Sequence, residues 1–165
     1  MKRRTFLKSL GVIATGVAMG GLAGCGFHLR GQGEPLGFDR LTLTAPIGEL
    51  TDSVRRELAN ADVMLVDDAP LRVNLGPENI QEYTLTAGDT GTQEIELRLT
   101  APFSVQRTRD GAYLLDQQRI EVVTTYLAND DDLLVLGDLR EQALEDLRRE
   151  AARQLLSRLR SLDTP

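Results

Sequence analysis

An α+β fold is what this sequence predicts: a two-layer sandwich in which a mixed sheet of about four strands carries two helices packed on one face. Three observations predict it. Residues 95–105 place Ile95, Leu97, Leu99, Ala101, Phe103 and Val105 on one side, with Glu94, Glu96, Arg98, Thr100, Ser104 and Gln106 on the other, the period-two alternation of a half-buried strand. Two other stretches carry apolar residues at helical spacing. Leu50, Val54, Leu58 and Ala61 form one stripe, and Leu144, Leu147, Ala151, Leu155, Leu159 and Leu162 the other,. One apolar sheet face and two apolar helix stripes bury one another most economically as two layers.

The chain opens on Lys2, Arg3, Arg4 and Lys8, followed by a Gly- and Ala-rich apolar run over residues 11–22. That is the pattern of an export signal, too short and too Gly-rich for a convincing membrane span. It ends in Leu22-Ala23-Gly24-Cys25, which resembles a bacterial lipobox. Residues 1–24 then form a lipoprotein signal peptide, and Cys25 becomes the first mature residue, bearing S-diacylglycerol and an N-acyl group. A buried or reactive cysteine is the alternative, and the position directly behind an apolar run favours the lipobox. Arg3-Arg4-Thr5-Phe6-Leu7-Lys8 is similar to a twin-arginine export motif, with a Sec signal left open. Residues 25–37, with Gly31, Gly33, Pro35 and Gly37, read as the acylated cysteine and a flexible tether. Residues 38–165 read as a single domain.

Within that domain, residues 39–45 alternate with Leu41, Leu43 and Ala45 on one face, a strand closed by Pro46,. A helix follows over residues 49–61, then a short buried strand over 63–66, the strand-helix-strand order of a crossover between parallel strands. Leu71, Val73 and Leu75 alternate again, Gly76-Pro77 interrupts, and residues 83–87 continue, so one bent strand or two short ones are expected. Arg109-Asp110-Gly111 is a hairpin turn,. The return strand aligns Ile120, Val122, Thr124 and Tyr126. The second helix is expected over residues 139–162, with Asp138 as N-cap and Glu141 completing a capping box,.

Without the four basic residues of the signal, 15 arginines and no lysine face 25 acidic residues, a net charge of −10. Such a domain is a poor partner for nucleic acid. Cys25 is the only cysteine, so no intramolecular disulfide or cysteine-based zinc site is expected. The only histidine, His28, stands three residues from the acylation site, where a catalytic triad or metal cluster is implausible. Asn129-Asp130-Asp131-Asp132 lacks the spacing, Gly and distal Glu of a calcium loop and reads as a solvated turn. Glu94 and Glu96 share a strand face without an apolar shell to separate their pKa values, so they read as charged surface. The glycines of 88–91 lack the context of a phosphate loop. The chain is expected to be neither an enzyme nor a cofactor or metal binder.

Gly24-Cys25-Gly26-Phe27-His28-Leu29-Arg30-Gly31 resembles the N-terminal signature of the LptE family, the outer-membrane lipopolysaccharide-assembly lipoproteins. Val54-Arg55-Arg56-Glu57-Leu58 and Ala151-Ala152-Arg153-Gln154-Leu155-Leu156-Ser157-Arg158-Leu159 agree with that family's order of elements. The resemblance implies a domain that plugs the lumen of an LptD-type barrel, assists assembly of that barrel, and helps insert lipopolysaccharide into the outer leaflet. Gly26, not Asp, follows Cys25, which by resemblance to enterobacterial sorting rules favours the outer membrane. Basic residues contacting lipopolysaccharide are implied in loops at one end of the sheet, placed here at 87–91 and 136–138, where this chain has Gly88 and Gly137 instead. The nearest cations are Arg140, beside the second of these, and Arg107 and Arg109 at the hairpin. Two other classes compete: a generic periplasm-facing lipoprotein holding a small ligand, for which the chain has four Phe, three Tyr and no Trp to line a pocket, and an envelope hydrolase. Mass spectrometry of the mature protein is expected to find an acylated N-terminus at Cys25; an unmodified N-terminus elsewhere contradicts it.

Overall fold

The structure, a computed structural model, describes residues 36–85, 91–129 and 133–162. Cys25, His28, Gly88 and Asp130, Asp131 and Asp132 lie outside the described residues. Six strands and two helices follow in order: β1 (Arg40–Thr44), α1 (Glu49–Asn60), β2 (Met64–Leu65), β3 (Leu71–Leu75), β4 (Asn79–Thr84), β5 (Thr92–Arg107), β6 (Tyr113–Asn129) and α2 (Leu133–Arg160). The α+β class and the mixed sheet agree with the expectation. The strand number is higher than the four or so expected.

β5 explains most of the topology. One of its edges pairs antiparallel with β6 along nearly the whole length. The other edge takes β3 opposite residues 103–107 and β4 opposite residues 95–100. β3 and β4 therefore share one lane, broken at Gly76-Pro77. The break has a local cause: Pro102, which has no N–H to give the ladder, stands opposite it, and Pro102 O accepts from Gly76 N at 2.8 Å,. A Cβ on Gly76 would lie 2.6 Å from Pro102 Cγ, so only glycine lets the two strands approach there. β1 lies parallel to both β3 and β2 and completes the sheet.

Three expectations are corrected. The stretch 63–66 yields only the two-residue β2, and Met64 and Leu65 are exposed while Val63 is buried; as the outermost strand it has a neighbour on one side only. α2 begins at Leu133, six residues before the expected start, so Asp138 lies inside the helix and caps nothing. Gly137 costs about 1 kcal/mol in a helix interior, and α2 runs through it nonetheless. Residues 136–138 are consequently helix, not a loop at the end of the sheet.

The expected alternation of β5 holds: Ile95, Leu97, Leu99, Ala101, Phe103 and Val105 are all buried. From Leu97 to Val105 they meet Ile120 and Val122 of β6, Leu50, Val54 and Leu58 of α1, and Leu147, Ala151, Leu155 and Leu159 of α2 in one core. The hairpin after β5 turns through Gly111 at φ 69 and the strand bulges near Gln117 at φ 48,. Thr51 and Ser53, the buried polar residues of α1, are both bonded, Thr51 Oγ1 donating to Pro46 O at 2.7 Å and Arg56 Nη2 donating to Ser53 Oγ at 2.9 Å. Leu99→Ala is expected to lower unfolding stability by about 2–5 kcal/mol. Val123→Ala on the opposite face should change it by about 0.5 kcal/mol or less, both read by denaturant unfolding.

Candidate functional site

The face of the sheet turned away from the helices is its most distinctive surface. Register lines up its residues in rows across β4, β5 and β6: Gln81, Arg98 and Val123 in one row, Tyr83, Glu96 and Thr125 in the next. Leu85 N donates to Glu94 O at 2.8 Å, which adds a third row of Leu85, Glu94 and Leu127. The central column is charged and both flanks are partly apolar. Tyr83, Leu85, Val123 and Leu127 are 44%, 50%, 45% and 61% exposed, large apolar side chains on a face that no described element covers. Periodicity marks these positions as outward-facing, and an apolar residue at an outward position is the signal that sequence reasoning passed over.

The charges between those flanks are already satisfied. Arg98 donates to Glu96 at 2.9 Å and to Glu121 at 3.0 Å, and its guanidinium lies 6.0 Å from the centre of the Tyr83 ring,. The hydrogen bond to Glu96 holds Arg98 above its ordinary pKa. Glu96 is therefore an ion-pair partner and not a member of a carboxylate dyad.

The three arginines singled out from sequence fall in two places. Arg140, on α2, donates through Nε to Glu82 Oε2 at 3.0 Å, and Tyr126 Oη donates to the other oxygen of Glu82 at 3.3 Å. Burial, followed by Glu82, pushes the Tyr126 phenol up. Arg107 and Arg109 meet at the β5–β6 hairpin, 3.4 and 3.6 Å from the shared Asp110. The N–H of Ala112 is the main cause holding the Asp110 carboxyl below its usual range, with the two guanidiniums adding to it. Glu82 pairs with Leu97, ten residues before Arg107, so the two clusters are on the order of 30 Å apart along β5.

A cavity of about 220 Å³ lies beside the hairpin, lined by Phe38, Pro70, Leu71 and Leu114 with Arg107 and Arg109. Arg107 Nε is buried there without a hydrogen-bond partner. Apolar walls with two guanidiniums suit an amphiphile with an anionic group.

A larger cleft, about 540 Å³, separates α1 from α2 and is lined by Glu49, Asp52, Arg56, Arg140 and Glu145, among others, with Arg148. Its walls are charged, and its most buried charged member, Arg148, is fully engaged: the side chain is 14% exposed and grips Glu78 through Nε at 3.2 and 3.1 Å and Nη2 at 3.0 Å. It also donates to Glu49. Burial works against the charged form, but Glu78 and then Glu49 outweigh it and leave Arg148 above its ordinary pKa. Sequence reasoning missed this residue, whose only signal is an arginine directly after Leu147 of the α2 stripe. Arg148 ties α2 to the first turn of α1 and to the segment after the Gly76 break, so the cleft is a structural joint. Among the described residues no three His, Cys, Asp or Glu side chains gather as a metal site, and no helix is long and apolar enough to cross a membrane.

Comparison with known proteins gives a consistent result. The family model described as LptE, lipopolysaccharide-assembly, matches residues 38–159. The LPS-assembly lipoprotein LptE of Pectobacterium atrosepticum is 32% identical over 99% of this chain and 89% of its own. The one of Yersinia enterocolitica is 29% identical over 90% and 74%. Among solved structures, rare lipoprotein B of Shewanella oneidensis superposes with a TM-score of 0.63 at 26% identity, over 74% of this chain and 94% of that one. An uncharacterized lipoprotein B of Nitrosomonas europaea shares the fold with a TM-score of 0.62 at 22% identity, over 82% and 91%.

Arg148→Ala leaves two carboxylates without their partner and is expected to lower stability by about 1–3 kcal/mol. Arg149→Ala, whose pair with Asp146 is half exposed on both sides, should cost less than about 1 kcal/mol. Thermal or denaturant unfolding of the two variants checks the contrast.

Proposed function

The chain belongs to the LptE family of lipopolysaccharide-assembly lipoproteins, and from that membership we propose that it is held in the outer membrane by lipid on Cys25 and plugs the lumen of an LptD-type barrel. In that role it assists assembly of the barrel and insertion of lipopolysaccharide into the outer leaflet.

The observation that carries the reading is the uncovered face of β4, β5 and β6. It mixes exposed apolar side chains with charges that already have partners. Barrel lumens are polar, and a surface of paired charges with modest apolar flanks can be enclosed there without stranding an ion. The three-chain anchor proposed at Cys25, an S-diacylglycerol and an N-acyl group, makes membrane attachment effectively permanent.

For lipopolysaccharide itself, the hairpin pair Arg107 and Arg109 is the stronger candidate contact. The two guanidiniums share one carboxylate, Asp110, beside apolar walls, which matches a phosphorylated, acylated glycolipid in both its parts. Arg140 is the second candidate, and it would have to leave Glu82.

Co-expression with an LptD-type barrel is expected to yield a stable one-to-one complex in mild detergent, and depletion of this protein to lower the amount of correctly assembled barrel. Reversing both hairpin charges, Arg107→Glu with Arg109→Glu, should weaken lipopolysaccharide binding by about tenfold or more at low salt, with Arg140→Ala changing it less. Unchanged barrel levels and no isolable complex would overturn the plug reading. Unchanged binding by a folded double variant would remove the hairpin contact.

A further inference from the structure

β6 is an edge strand, and the direction of its free hydrogen-bonding groups can be worked out. Leu85 N donates to Glu94 O, Gly76 N to Pro102 O and Thr108 N to Pro70 O, at 2.8, 2.8 and 2.9 Å. Even-numbered residues from 94 to 108 therefore spend their backbone groups on the β3–β4 lane, and odd-numbered residues of β5 spend theirs on β6. Across the ladder, Ile95, Leu97, Leu99 and Ala101 stand opposite Tyr126, Thr124, Val122 and Ile120, which bond inward. Glu121, Val123, Thr125 and Leu127 consequently turn their N–H and C=O groups to the outer edge. Among the described residues no strand pairs with that edge.

Proteins usually blunt such an edge with lysine, proline, a bulge or brevity. β6 is 17 residues long and contains neither lysine nor proline. Its irregularities, the register shifts around Phe103 and Val105 and the positive φ at Gln117, are confined to the hairpin end. From residue 119 to 129 the edge is regular, and the side chains that flank it on the bare face include the exposed Val123 and Leu127.

We propose that the outer edge of β6 between residues 119 and 129 takes up an extended segment of the barrel partner as an added strand, an inference that rests on the barrel reading and names the surface through which it works. Charge selects the occupant. Glu121 of this edge and its neighbour Glu96 share one cation, Arg98, and the chain from Cys25 onward carries a net charge of −10, so a second copy of this acidic chain is disfavoured. The fitting strand is apolar opposite Val123 and Leu127 and carries lysine or arginine near Glu121. A closed barrel wall has no free edge to offer, so the strand comes from a loop or a chain end of the barrel protein.

The test uses the full-length lipoprotein, alone and in its purified complex with a co-expressed LptD-type barrel. Hydrogen exchange of peptides covering residues 119–129 is expected to slow by about tenfold or more in the complex. Thr125→Pro removes only an N–H that points away from β5 and spares the β5–β6 ladder. It is expected to raise the dissociation rate of the complex by about tenfold or more while the free chain keeps its circular dichroism, and Thr125→Val is expected to behave as the parent. If the complex forms and the edge exchanges as fast as in the free chain, or if the folded proline variant binds as well as the parent, the proposal is overturned while the barrel reading stands. Dimerisation of the free chain through residues 119–129 also overturns it. Failure to obtain any complex overturns the barrel reading and this inference together.

Discussion

The alternation along β5 is the constraint on which the rest of this structure depends. Sixteen residues of unbroken strand pair on both edges, so β5 sets the register of β3, β4 and β6 at once. A slip of one residue would expose Ile95, Leu97, Leu99, Ala101, Phe103 and Val105 together and bury Glu94, Glu96 and Arg98. Because that apolar row must be covered, α1 and α2 both lie on the same side, and the other side is left open. The bare face is thus a consequence of how the core is made. Its flanking apolar residues, Tyr83, Leu85, Val123 and Leu127, contribute nothing to that core.

Electrostatics complete the division of labour. From Cys25 onward arginine is the only fixed cation and acids outnumber it, so carboxylates compete for guanidiniums and most of the described arginines are engaged. Arg148 fastens α2 to Glu78 and Glu49, Arg140 meets Glu82, and Arg98 lies between Glu96 and Glu121. The hairpin differs, with Arg107 and Arg109 sharing a single carboxylate beside an apolar cavity. Two guanidiniums with one carboxylate between them retain capacity for another anion. Membership of the LptE family directs attention to these surfaces.

Much of this was legible in the sequence where one physical signal dominated. β1, α1, β5 and the Gly111 hairpin appear where period and turn chemistry place them, because each depends on local spacing alone. The split between β3 and β4 was half legible: Gly76-Pro77 announces a break, but its partner in the break, Pro102, is a long-range neighbour. The start of α2 was misread because Asp138 and Glu141 make a good capping pair in isolation, whereas the helix already begins at Leu133 and runs through Gly137. The resemblance carried by residues 24–31 and by the two helices pointed to the family that the whole-domain match supports. Nothing local revealed Arg148 or Glu82, since their partners are 70 and 58 residues away in sequence. Neither did periodicity reveal that β6 would be an edge, because strand order is a property of the whole sheet.

The central claim is that the bare face of the sheet, not the charged cleft between the helices, is where this domain meets its partner. The most direct measurement places a photoreactive phenylalanine analogue at Tyr83, exposed in the middle row of that face, in cells that also make the barrel. Irradiation is predicted to give an adduct containing the barrel protein. No adduct from position 83, with a strong one from Asp52 in the helix cleft, would contradict the account.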